Sequence, residues 1–358
     1  MIGIIFIGDL KYCPYLNKYT QVLDEENQKY EVLFWNREGK SVDYPLNYFS
    51  LNLKSVLNRH PLFKILDFLK FRKWVKNQIK TRNYDKLIIL STLSGVLIAK
   101  TLINKYKYNY IFDIRDYSYE NNKMFFNIEE NLIRNSFFTC ISSEGFKEFL
   151  PKGYPYIIAH NINKNDYQNK KKFIKKDKGS ILNVVFIGAV RYFKHQVKII
   201  DRLKNDNRFN LIYHGSGAEL DLFINYCKKN NISNLKFTGE YNNSDKNKLL
   251  IKADILNNSY KASKMMETKY AISNKYYDGI IYGIPQLVET NTYKQSKVEE
   301  LGIGIGLDVE EEDFADKLYE YYYNIDEKKF NDSCNKELQK ILIEDQLYLE
   351  KIREFINS

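Results

Sequence analysis

In V-V-F-I-G-A-V-R-Y-F-K-H (184–195), an apolar run ends on Gly188, and Arg191 and Lys194 follow, three residues apart. The chemistry of that set is anion binding. A glycine at the end of a buried strand lets a ligand approach the backbone, and the helix that follows offers free N–H groups and positive potential. Arginine can grip a diphosphate with its planar fork, and lysine can meet it as a point charge. The same features also describe an ordinary strand-to-helix turn with solvated cations, so other segments must support the reading.

Three later segments do so. I-Y-H-G-S-G-A-E-L (212–220) repeats the order strand, glycines, helix, and Gly215 there can make room for a nucleotide. A lone G-x-G is nevertheless found in many plain turns. L-K-F-T-G-E-Y (235–241) ends a strand on Gly239, where backbone N–H and C=O groups can pair with a flat base. Asp254, in the A-D-I-L-N-N that follows, reads as a cap or strand-start residue. S-N-K-Y-Y-D-G-I-I-Y-G-I-P (273–285) reads as a helix capped by Ser273 and stopped by Gly283 and Pro285. Asn274, Lys275 and Asp278 fall in its first turns. An acid near a helix start can chelate the two ribose hydroxyls, and Lys275 can neutralise a phosphate.

Such residues need strands that end where they begin. Apolar runs bounded by Gly, Pro, Asp or Ser occur at 2–8, 86–92, 110–114, 137–142 and 154–160, then again at 181–188, 209–215, 235–240, 253–258, 284–289 and 302–307. Amphipathic stretches separate them, which implies α/β architecture with parallel sheets covered on both faces. Asn161 to Ser180 breaks the pattern with a dense lysine run and reads as an exposed linker. The expected organisation is a Rossmann-like domain at 1–164, a basic linker at 165–180, a second Rossmann-like domain at 181–335 and a C-terminal helix at 336–358 that can pack back on the first domain. Two such domains facing each other make a cleft where their strand ends converge.

Composition narrows the function classes. The net charge of +10 calls for an anionic partner, although an AT-biased genome also enriches lysine. No helix-turn-helix, zinc-finger or ribonucleoprotein motif supports nucleic acid. The start, M-I-G-I-I-F-I-G-D-L, lacks a basic leader and carries one glycine where a nicotinamide fingerprint needs three. It reads as a buried strand, and a cytoplasmic location is expected. The cysteines at 13, 140, 227 and 334 are scattered, as reduced buried thiols would be, and no metal-ligand spacing occurs.

The order V-F-I-G…R…K, H-G-S-G, F-x-G, A-D-I and N-K-x-Y-D-x-x-x-x-G-x-P resembles the C-terminal half of bacterial group 1 glycosyltransferases of the GT-B fold, in particular those of capsular and other surface-polysaccharide clusters. Y-I-F-D-I-R-D, C-I-S-S-E-G-F-K-E-F-L-P and A-H-N carry a looser likeness to their N-terminal half. The resemblance implies a nucleotide sugar, a UDP-sugar first among candidates, as substrate, with no cofactor and no metal. It assigns Arg191 and Lys194, beside Gly188 and Lys275, to the donor diphosphate. It assigns Gly239, Glu240 and Tyr241 to the base, and Asp278, near Asn274, to the ribose. The other acid of the family's E-x7-E motif falls at Tyr270, which leaves the sugar contact unfilled.

Glycosyl transfer also needs a base for the acceptor hydroxyl. I-F-D-I-R-D-Y-S-Y-E (111–120) is the most polar strand end, and Asp116 is the expected base with Asp113 as fallback. The alternative is a structural ion-pair cluster of Asp113, Arg115 and Asp116; Asp9 is a further candidate. The acceptor is expected to be a carbohydrate or lipid-linked oligosaccharide at the inner face of the cytoplasmic membrane. D-F-L-K-F-R-K-W-V-K-N-Q-I-K (67–80) could lie on anionic lipid through Phe68, Phe71, Trp74, Val75 and Ile79, or be a core helix with solvated lysines. Two other functions compete, a nucleotide-sugar epimerase of the same fold and a non-catalytic binder of anionic surfaces or nucleic acid.

Overall fold

The computed structural model describes residues 1–39, 43–55, 60–162, 167–260 and 266–358. It divides into two compact units, Met1–Asn161 with Ile343–Ser358, and Ile162–Leu342. The sequence boundary expected at 164/165 falls among residues 163–166, outside the described residues.

The first unit is built on β1 (Ile2–Phe6), β2 (Tyr30–Asn36), β3 (Tyr48–Asn52), β4 (Lys86–Leu90), β5 (Tyr110–Ile114), β6 (Phe138–Ile141) and β7 (Tyr156–Ile158). They form one parallel sheet in the order β3-β2-β1-β4-β5-β6-β7. Strands β1 and β5 are buried along their whole length, which is why they read as apolar runs, interrupted in β5 only by Asp113. Two strands escape that pattern. β2, Y-E-V-L-F-W-N, lies between Lys29 and Arg37 rather than turn residues, and β3 at the sheet edge is only half-buried.

The second unit carries β8 (Leu182–Ile187), β9 (Phe209–His214), β10 (Leu235–Gly239), β11 (Ile255–Asn257), β12 (Gln286–Val288) and β13 (Gly304–Gly306). These also pair in parallel, in the order β10-β9-β8-β11-β12-β13. The described part of the lysine-rich segment packs against this unit. Phe173 is its buried anchor; its N–H donates to Asn331 Oδ1 at 2.8 Å, while Asn331 Nδ2 donates to its carbonyl at 3.0 Å. With Ile162 buried in the same core and Tyr167 packed against it, a few apolar side chains among lysines tie down a run whose composition reads as exposed.

Helix Pro61–Arg82 differs from the lipid-facing expectation. Phe71, Val75 and Ile79 are buried, and the rings of Phe68 and Phe71 pack on Trp35. The stripe 68, 71, 75, 79 is therefore core. Among the described side chains of this helix, Phe63, Ile65, Leu66 and Leu69 are exposed.

Helix Glu327–Asn357 contributes to both units. Phe330, Cys334, Leu338 and Ile341 join the core of the second, whereas Tyr348, Ile352 and Phe355, all fully buried, join that of the first. Tyr348 meets Tyr19 edge-on, and Lys86 Nζ donates to the Phe355 carbonyl at 2.6 Å. The four cysteines are free and buried. No described helix is long and apolar enough to cross a membrane.

Candidate functional site

In the second unit the strand order reverses between β8 and β11, and open parallel sheets hold ligands at the carboxyl ends of such a pair. Gly188 ends β8 there with φ +122°, and Tyr192, in the left-handed region, leads into helix Phe193–Leu203. Arg191 is exposed, its guanidinium 4.9 Å from the Tyr192 ring centre, and Lys194 is exposed one turn further on. The glycines after β9 have a different task from making room for a nucleotide. A Cβ at Gly215 would stand 1.9 Å from the Gly188 carbonyl oxygen, and one at Gly217 would stand 2.2 Å from that of Val190. Gly188 N donates to the His214 carbonyl, and Gly215 N to that of Gly239. These glycines lock three strand-end turns together.

Lys275, on helix Asn274–Tyr282, reaches this junction from the β11 side. Only 5% exposed, its ammonium lies 4.2 Å from the Phe186 ring centre and 4.6 Å from that of Tyr260, and donates to Tyr260 Oη at 2.8 Å. Behind Tyr260 is a buried ion pair: Lys294 Nζ lies 3.1 Å from Glu289 Oε2 and donates to the Asn258 carbonyl at 2.6 Å. Glu289 Oε2 also accepts from Tyr260 N, so the pair fixes the turn after β11. The two lysines push the Tyr260 phenol below its ordinary range although burial opposes them. His195, buried and bonded to Ser259 Oγ at 2.8 Å, is held down to about 4, first by burial and then by Lys294 and Lys198.

Helix Asn274–Tyr282 ends at Gly283 in the left-handed conformation, as expected. Its start is a correction. Ser273 occupies the N-cap position without capping; its hydroxyl donates to Asn258 Oδ1 at 2.5 Å instead. Asn274 is exposed. Asp278 is buried and pairs with Lys246 at 2.6 Å, on helix Lys246–Leu250, and Tyr241 lies near enough that its phenol is raised by burial and then by Asp278. Glu240 is exposed beside Gly239, whose φ is +78°. Asp254 is structural, pairing with Lys176 at 2.6 Å and accepting from Asn183 N.

In the first unit the polar end of β5 divides. Asp113 is fully buried; Arg115 Nε and Nη2 reach its two oxygens at 2.5 and 2.9 Å, and Tyr19 Oη donates to Oδ2 at 2.8 Å. Arg115 Nη1 donates to the Ala159 carbonyl at 2.7 Å. An enclosed carboxylate bound in this way anchors structure and is poorly placed to take a proton, which corrects its assignment as fallback base. Asp116 is exposed. Two acids beyond it were not singled out from the sequence: Glu120, whose Oε2 accepts from Ser118 N at 2.6 Å, and Glu129, fully buried beside Thr92 with neither oxygen in a well-formed hydrogen bond among the described residues. Burial, then the nearby Glu120, pushes Glu129 up to about 9.

Tyr260, Lys294, Glu289 and Lys246 also lie outside the sequence candidates. Glu289 ends the I-P-Q-L-V-E run and Tyr260 closely follows A-D-I-L-N-N, so strand-end position was their signal. Lys294 and Lys246 sit in helices and gave none.

No family model matches the chain, and no curated protein sequence matches it. Solved structures do. A sucrose-phosphate synthase from Thermosynechococcus elongatus is similar at TM-score 0.71 and 12% identity, over 100% of this chain and 99% of that one. Anabaena HepE in complex with UDP follows at 0.67 and 13%, over 99% and 100%. The lipopolysaccharide outer core galactosyltransferase WaaB follows at 0.65 and 14%, over 100% and 99%. A UDP-GlcNAc 2-epimerase from Neisseria meningitidis is similar at 0.51 and 12%, over 96% and 100%. The chain thus has the α/β fold of glycosyltransferases with two Rossmann-like parallel sheets, the GT-B class, and a long C-terminal helix.

Proposed function

We propose that the chain is a glycosyltransferase that moves a hexosyl or related sugar from a nucleotide-diphosphate donor, a UDP-sugar, to a carbohydrate or lipid-linked oligosaccharide in surface-polysaccharide synthesis. One observation carries the reading. Arg191, Lys194 and Lys275 stand at or beside the Gly188 turn, at the sheet's switch point, and none has a carboxylate partner among the described residues. Cations left without counter-charge at such a turn suit a diphosphate. In this reading Asp278, beside Lys246 and near Asn274, takes the ribose. Gly239, Glu240 and Tyr241 take the base, with Gly215 holding their turn against Gly188. Asp116 receives the acceptor proton.

The solved HepE complex with UDP and the WaaB galactosyltransferase support this choice of donor and reaction. For a lipid-linked acceptor, the exposed Phe63, Ile65, Leu66 and Leu69, with Lys70, Lys73 and Lys76 on the same helix, offer a surface for an anionic membrane.

Thermal shift with UDP, GDP and dTDP tests the donor. A ligand at a hundred times its Kd stabilises by about 2.7 kcal/mol. The expected outcome is a rise in Tm with one nucleoside diphosphate and its sugars. A response to oligonucleotides alone would overturn the proposal. A donor converted to its epimer without an acceptor would favour the epimerase function, for which the 2-epimerase likeness is the supporting observation.

A further inference from the structure

The tyrosine at the end of the β11 turn has an arrangement that plain packing does not require. The Tyr260 ring has an ammonium group 4.6 Å from its centre on each of two counts, Lys275 and Lys294. Its Oη accepts from Lys275 at 2.8 Å, and the Ser273 hydroxyl also lies within hydrogen-bond reach of it. A third contact fixes its place: the ring meets Tyr192 edge-on, with centroids 5.8 Å apart, and Tyr192 follows Arg191 in the Gly188 turn. The phenol therefore stands between β8 and β11, beside the cations assigned above to the diphosphate.

We propose that Tyr260 is a donor-binding residue whose phenol O–H donates a hydrogen bond to a phosphate oxygen of the nucleoside diphosphate, while Lys275 holds the phenol oxygen from the other side. The inference rests on the donor reading of the preceding subsection and adds a contact that it does not contain. Lys275 is too enclosed to turn freely; it passes polarisation through the phenol, and an O–H polarised by a cation is the stronger donor to an anion. Lys294 adds a second positive charge while its own hydrogen bonds go to Asn258 and Glu289, so it tunes the phenol without competing for the ligand. Charge grows on the departing diphosphate as the sugar leaves, and a donor already aimed there needs no reorganisation. Tyr260 is thus a polar group for the donor half of the site, where Tyr270 supplies no acid.

Tyr260→Phe removes one oxygen and keeps the ring against Tyr192 and both lysines, and its Tm reports whether the fold is kept. Calorimetry with UDP, inorganic pyrophosphate and uridine then separates the outcomes. The expected result is a loss of about tenfold or more in UDP and pyrophosphate affinity, as for a hydrogen bond to a charged group, with uridine unchanged. Unchanged affinity for all three overturns the inference and leaves the donor reading intact. An equal loss for all three also overturns it, since a structural tyrosine would act that way. Wild-type protein that binds neither UDP nor pyrophosphate overturns the donor reading itself, and the inference with it.

Discussion

Arg191 follows strand β8 and Asp113 lies near the end of β5, and the structure gives these two charged residues opposite surroundings. Arg191 is exposed and has no carboxylate partner among the described residues, so Arg191→Ala is expected to keep the fold and to cost roughly 2–4 kcal/mol of transition-state stabilisation, read as a fall in kcat/KM for the donor. Asp113 is enclosed by Arg115 and Tyr19, so Asp113→Asn leaves a buried guanidinium short of its partner. Its expected cost is about 3–5 kcal/mol of folding stability by urea denaturation. Glu129 runs the other way. Its carboxyl is raised to about 9 when folded, against a usual 4.5, so the folded state holds a proton that the unfolded state has released. Stability therefore falls as pH rises from about 4.5 towards 9. Glu129→Gln is expected to raise stability at pH 7 by up to roughly 3 kcal/mol, and by nothing at pH 4, where both states are protonated. A gain that persisted at pH 4 would point to packing instead. In the sequence, Asp113 and Arg115 already sat two apart at the end of a strand, on one face, which made their pairing legible. Tyr260 was not legible, because its meaning comes from lysines 275 and 294, which only the fold brings together.

Helix Pro61–Arg82 shows where periodicity informs and where it stops. Spacing alone aligned Phe68, Phe71, Val75 and Ile79, and they do share a face; what spacing cannot say is whether that face meets Trp35 or lipid. The two functions fall on different residues. Phe71→Ala is expected to cost about 3–5 kcal/mol of stability. Leu66→Glu combined with Leu69→Glu should leave Tm nearly unchanged and reduce sedimentation with phosphatidylglycerol vesicles. That binding should also weaken with salt, since each cation near an anionic surface is worth about 1 kcal/mol. Vesicle binding indifferent to both changes would leave the exposed leucines without this role. The strand reading succeeded for the same physical reason that the helix reading split. Strands buried on both faces, such as β1 and β5, are buried at every residue. β3 sits at an edge and shows none of it.

Helix Glu327–Asn357 makes the two units unequal partners in folding. Deleting residues 343–358 removes Tyr348, Ile352 and Phe355 from the core of the first unit and leaves the second with Phe330, Cys334, Leu338 and Ile341. Hydrogen exchange is expected to show protection lost across β1, β4 and β5 and retained across β8, β9 and β11; uniform loss would mean that the units do not hold separate stability. During synthesis the ribosome makes residues 1–161 first, yet the stretch that completes their core is translated only after all of 162–342. Domains usually finish in the order in which they are made. Here the order is reversed: the half made first must wait for the half made second, with the apolar seat of Tyr348, Ile352 and Phe355 open in the meantime to whatever attends nascent chains.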